Sequence, residues 1–129
     1  STTGSIDLSD ADNSFGGTVT ADAGPDADDN VTVAATGNLS VDATAGGNAT
    51  VSATGDVTAQ VDAGVNANVT STTGNVSLGE SFVDGALTVA GNGSADDHVG
   101  NLCTRDVVGA RFNPLTQTFN NIFTHIGLF

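Results

Sequence analysis

The chain has 129 residues, 15 acidic and 2 basic side chains, a formal net charge of −13 and one Cys. This balance excludes nucleic acid as a partner, because phosphate recognition needs Lys and Arg, and it disfavours an anionic membrane surface. No apolar run approaches the roughly 18 residues of a membrane-spanning helix, and charged side chains make up only 13% of the chain, too few for a disordered polyelectrolyte.

The chain begins at Ser1 and contains no Met. We read this as a mature product whose signal peptide has been removed, located outside the cell or at its surface. The first stretch, Ser1–Gly17, is rich in Gly, Ser and Asp, with a short apolar pair, Ile6 and Leu8. From Thr18 to Ala23 apolar residues fall on odd positions, so the sheet is expected to begin there. Pro25 and the clustered acids Asp26, Asp28 and Asp29 mark a turn.

Asn30–Glu80 is a repeat. Gly37-Asn38-Leu39-Ser40-Val41 returns as Gly55-Asp56-Val57-Thr58-Ala59 and as Gly74-Asn75-Val76-Ser77-Leu78, at spacings of 18 and 19 residues. Half-way between them lie Gly46-Gly47-Asn48 and Gly64-Val65-Asn66. Fixed-period self-similarity marks a repeat architecture. From Val31 to Val69 the apolar residues, Ala34 excepted, occupy odd positions, while Thr, Ser, Asn and Asp dominate the even ones. Strict alternation gives strands with one dry and one wet face.

The odd parity survives each Gly-Asn or Gly-Asp pair. A two-residue hairpin at Gly37-Asn38 would put Ala35 and Ser40 on one face, which a half-buried sheet resists. Two arrangements keep the parity. One is a three-residue loop with Asn or Asp in the left-handed region beside a bulge, giving an antiparallel meander or sandwich. The other is a solenoid corner, giving stacked parallel rungs of about 18 residues with two strands each. The doubled period favours this all-β parallel solenoid, or β-arch stack.

Beyond the repeat, Phe82-Val83 and Ala86–Ala90 read as one or two further strands. Composition then changes. Residues 1–95 carry 12 of the 15 acids and no base, whereas residues 96–129 hold both Arg, both His, the Cys and four of the six Phe. We divide the chain there into a β-repeat region and a Phe-rich segment for docking or assembly. Asn113-Pro114 suits a helix start, and Leu115, Phe119, Ile122, Phe123 and Ile126 share a helical face. The expectation is a short helix over 114–126, or an extended tail.

The dry face is almost entirely Ala and Val. Burial contributes about 25 cal/mol per Å², against roughly 1–2 kcal/mol of backbone entropy per ordered residue. One such layer has little margin. Stability is therefore expected from joining neighbours, with Phe112, Phe119, Phe123 and Phe129 as contacts, or from those Phe residues capping the face of their own chain. Lys, the usual blocker of open strand edges, is missing from the chain.

Nothing in the sequence reads as catalytic machinery: there is no phosphate loop, dinucleotide fingerprint or Ser/His/Asp set, and the expectation is no enzyme. Asp22, Asp26, Asp28 and Asp29 are candidate Ca²⁺ ligands by residue type. The plainer reading is a solvated acidic turn, as it is for Asp7, Asp10, Asp12 and Asn13. No other cofactor is expected. Cys103 is either a buried thiol or half of an intermolecular disulfide. Six N-x-Ser/Thr sequons, at Asn30, Asn38, Asn48, Asn68, Asn75 and Asn92, make glycans candidate partners, although an Asn- and Thr-rich repeat generates sequons by itself.

The Gly-Asn-Leu-Ser-Val and Gly-Asp-Val-Thr-Ala units resemble the repeats of large secreted haemagglutinin-type exoproteins. That resemblance implies a right-handed parallel β-helix and a surface adhesin. The short Ala/Val/Thr-rich chain also resembles amyloid-like microbial sheath or fibre subunits, including those of archaeal cell sheaths. This second resemblance implies a homopolymer held by inter-subunit β stacking, and it is the one we favour. The expected function is a structural sheath or fibre subunit whose partner is itself, or alternatively an adhesin.

Overall fold

The computed structural model describes residues 4–91, 98–99 and 102–107, the last two groups by their backbone pairing alone. Among them there are strands and no helix. The strands are β1 (Ile6–Leu8), β2 (Thr18–Asp22), β3 (Val31–Ala35), β4 (Leu39–Ala45), β5 (Ala49–Ala53), β6 (Val57–Ala63), β7 (Ala67–Ser71), β8 (Val76–Leu78), β9 (Ser81–Ala90), β10 (His98–Val99) and β11 (Leu102–Val107). Every pairing is parallel, and the architecture is a β-solenoid of about four turns. The segment 114–126 lies outside the described residues.

The parity of the sequence explains the coil. The corners 36–38, 46–48, 54–56 and 64–66 each hold three residues, so an odd residue before a corner is followed by an odd residue after it. The chain bends while its inner face stays inner. β1, β3, β5, β7 and the end of β9 stack on one side. β2, β4, β6, β8 and the start of β9 stack on the other. Val31 pairs with Ala49 and Ala49 with Ala67; Leu39 pairs with Val57. Each step is one 18-residue turn.

The dry face is consequently closed by its own chain. Val31, Val33, Val51, Val61 and Val69 are fully buried, and the odd-numbered Ala residues between them are no more than 5% exposed. The two strands of each turn cover each other, so the face needs neither a neighbouring subunit nor a cap of Phe side chains. Small residues suit this narrow interior. The expectation that the apolar layer seeks an outside partner is corrected by that closure.

Two further expectations change. The stack begins before Thr18, because Ile6–Leu8 already pairs with Val31–Val33. The left-handed Asn or Asp loop does not form: among the described residues only Gly4 (φ 97°) and Gly37 (φ 77°) have positive φ. Instead, the corner residues Asn and Asp bond upward to the next turn. Asn38 Oδ1 accepts the Asp56 N–H at 2.9 Å, and Asp56 Oδ1 accepts the Asn75 N–H at 2.8 Å. The corner glycines are required by close stacking. A Cβ on Gly46 would fall on the Pro25 carbonyl, one on Gly64 on the Gly46 carbonyl, and one on Gly85 on the Val65 carbonyl.

The repeat slips twice, and a buried serine repairs each slip. The corner 72–75 has four residues, which moves the inward positions to Val76 and Leu78; a second insertion at Gly79-Glu80 restores the phase at Val83. At the first, Ser71 Oγ donates to the Gly55 carbonyl (2.7 Å) and accepts the Gly74 N–H (2.8 Å). At the second, Ser81 Oγ accepts the Val61 N–H at 3.0 Å. Ser71 and Ser81 are 3% and 1% exposed. A buried N–H left without an acceptor costs about 1–3 kcal/mol. Ser81→Ala is expected to lose about that much in denaturant unfolding, whereas the same change at the exposed residue Ser14 is expected to lose little.

β10 and β11 pair with β8 and β9, so backbone stacking continues across the change in composition near residue 95.

Candidate functional site

The described residues 4–91 contain 12 carboxylates and no Lys, Arg, His or Cys. Their outer surface is therefore acidic and hydroxyl-rich. Because turns repeat in register, like residues form columns. On one sheet run Thr18–Ser40–Thr58–Ser77 and Asp22–Thr44–Asp62–Phe82. On the other run Thr32–Thr50–Asn68–Thr88 and Ala34–Ser52–Thr70–Ala90. Neighbouring members of a column lie roughly 4.8 Å apart, the spacing of paired strands.

The candidate Ca²⁺ ligands fall in two different settings. Asp29 is 6% exposed and holds the turn: it accepts the Gly4 N–H at 2.8 Å and the Asp26 N–H at 3.3 Å. Asp22, Asp26 and Asp28 are exposed. Among the described residues no three His, Cys, Asp or Glu side chains are gathered as a metal site. The earlier cluster consists of local caps, with Asp10 Oδ1 accepting the Asp12 N–H and Asp7 Oδ1 the Ser9 N–H, both at 3.0 Å.

A shallow groove of about 570 Å³ crosses the outer ends of β2, β4, β6 and β9. Asp22, Asp62 and Asp84 line it, together with Phe82, which is 48% exposed. Asp62 Oδ1 accepts the Phe82 N–H at 3.2 Å, so one carboxylate serves the ladder. Cys103 lies in β11 with its backbone paired beside Phe82. Phe112, Phe119, Phe123 and Phe129 lie outside the described residues.

The remaining special surface is the pair of edge strands at the start of the stack; among the described residues β10 and β11 also have one strand partner each. Among the described residues β1 and β2 each pair along one edge only. Neither contains Lys or Pro, the residues that ordinarily blunt such edges. No helix among the described residues is long and apolar enough to cross a membrane.

Comparison with protein-family models, with characterised proteins and with solved structures gives no match.

Ser71 and Ser81 are structural residues beyond those expected from the repeat. Both stand where an inward apolar residue belongs, and the lengthening of the repeat beyond 18 residues was the clue to them. Asn66, which has no sequon, belongs to a corner ladder that its place in the half-repeat does not reveal: Asn66 Nδ2 donates to Asn48 Oδ1 at 3.2 Å.

Proposed function

We propose that this chain is a structural protein of the cell exterior whose subunits join end to end by parallel strand pairing, building a fibre or sheath. One observation carries the proposal. Among the described residues, the edge strands β1 and β2 pair along one edge only, in the register of the turns beneath them, and hold neither Lys nor Pro. An added turn gains a full set of main-chain hydrogen bonds and continues the inner Val and Ala columns. The acidic, polar flanks support the same reading, since like charge disfavours side-to-side clumping while leaving the ends free.

Electron microscopy and sedimentation of the concentrated chain test this directly. Unbranched filaments are expected, and Val19→Lys, which places an inward-facing charge in β2, is expected to abolish them while keeping the β-sheet circular dichroism. A chain that stays monodisperse and monomeric at high concentration would end the fibre proposal.

The hydroxyl columns favour a second reading, adhesion to a glycan through the flank. It expects a soluble monomer with saturable binding at the Thr58 or Thr70 face.

A further inference from the structure

The fold sorts the sequons by what their side-chain amides already do. Asn30 Nδ2 donates to the Asp28 carbonyl at 2.8 Å, and Asn30 Oδ1 accepts both the main-chain N–H (2.8 Å) and Nδ2 (3.1 Å) of Asn48. Asn48 Oδ1 in turn accepts from Asn66. Asn38 clamps the next corner through Asp56, while its sequon hydroxyl, Ser40 Oγ, is paired with Thr18 Oγ1 at 3.1 Å. Asn75 has its side-chain oxygen buried. These four residues belong to the corners. A sugar on Nδ2 of Asn48 would crowd the amide that bonds Asn30 Oδ1 in the neighbouring turn, and one on Asn30 would crowd the amide that bonds the Asp28 carbonyl in its own turn.

Asn68 differs in position and in what its amide oxygen bonds: Asn38, also exposed, spends its oxygen on the next corner, whereas Asn68 bonds only within its own strand. It lies in the middle of β7, on the outer face, and is exposed. Its side-chain bond is local and internal to its own sequon: Thr70 Oγ1 donates to Asn68 Oδ1 at 3.2 Å. This bond uses the oxygen and leaves the nitrogen directed to the chemistry of N-linkage. The flanking residues on the column, Thr50 and Thr88, are short.

We propose that Asn68 is an N-glycosylation site and that the other described sequons are structural asparagines. The donor class is a glycosyl phosphate or pyrophosphate, used by a separate transferase. Asn68 Nδ2 forms a bond to the anomeric carbon, the bond from that carbon to the phosphate oxygen breaks, the phosphate leaves with the bonding pair, and one amide proton passes to base. No electron transfer is involved. The inference rests on the extracellular placement above, not on assembly.

The test is fragmentation mass mapping of the chain purified from its native source, beside the Asn68→Gln and Asn48→Ala variants. Glycan mass is expected on Asn68 and not on Asn30, Asn38, Asn48 or Asn75. Asn68→Gln is expected to lose it with no change in thermal midpoint. Asn48→Ala is expected to keep it while lowering the midpoint by roughly 5 °C or more, the response to a lost structural bond. An exported chain bare at Asn68, or one carrying glycan on Asn30, Asn38, Asn48 or Asn75 with its fold intact, would overturn the inference. A glycosylated monomer would retain it and end the fibre proposal; a fibre bare at Asn68 would do the reverse.

Discussion

One methyl group added at Gly64 is expected to destabilise the solenoid by about 3 kcal/mol or more. The new Cβ would occupy the place of the Gly46 carbonyl in the turn beneath. That obstacle is main chain and cannot rotate away. The Gly64 N–H also bonds the Ala45 carbonyl at 2.9 Å, so spreading the corner to admit the methyl breaks a rung of the ladder. Gly16 supplies the comparison: a Cβ there meets open space. Gly16→Ala is expected to leave stability unchanged or to raise it by up to about 1 kcal/mol. Chemical unfolding of the two variants decides the matter. A tolerated Gly64→Ala would mean that the corners do not stack this closely.

Leu78→Ala is expected to cost about 2–5 kcal/mol, toward the upper end. Leu39, Leu78 and Leu87 are the bulkiest fully buried side chains in an interior whose other apolar residues are Val and Ala. Leu78 stands in a column after Val19, Val41 and Ala59, with Val99 paired beyond it. Shortening it would set Ala against Ala, and the neighbouring side chains are too small to fill the void. Stability in stacked repeats is close to a sum over neighbours, so the loss is expected to concentrate locally. Amide exchange should accelerate in β8 and β9 while β4 and β5 stay protected. Uniform acceleration from β3 to β9 would show instead that the turns unfold as one unit.

These positions show how far the sequence could be read. The odd spacing from Val31 to Val69 is enough to exclude tight hairpins and to select a coil with one inner face, because side-chain direction in a strand has period two. The same spacing does not say what covers that face. An apolar stripe looks identical whether its partner is another molecule or the opposite strand of the same turn, and only the curl of the chain distinguishes them. β1 was missed for a related reason: its three residues carry two apolar positions, and their partner, Val31–Val33, is 25 residues away. Ser71 and Ser81 were illegible because their role depends on which N–H and carbonyl groups two inserted residues displace. Asn38 and Asp56 were legible as corner residues but not as links, since their bonds run to the following turn.

The uniform direction of the strands has a consequence for growth. A stack of parallel strands is a vector: its first and last turns expose different edges, and no two-fold rotation maps one onto the other. Joining by the same pairing is therefore heterologous and leaves a free site after every addition. Under the proposed end-to-end joining, growth by this pairing would have a leading and a trailing tip and would not close as a symmetric dimer. Length would then be set by whatever covers one tip, and a single terminator at either end would suffice to stop extension there.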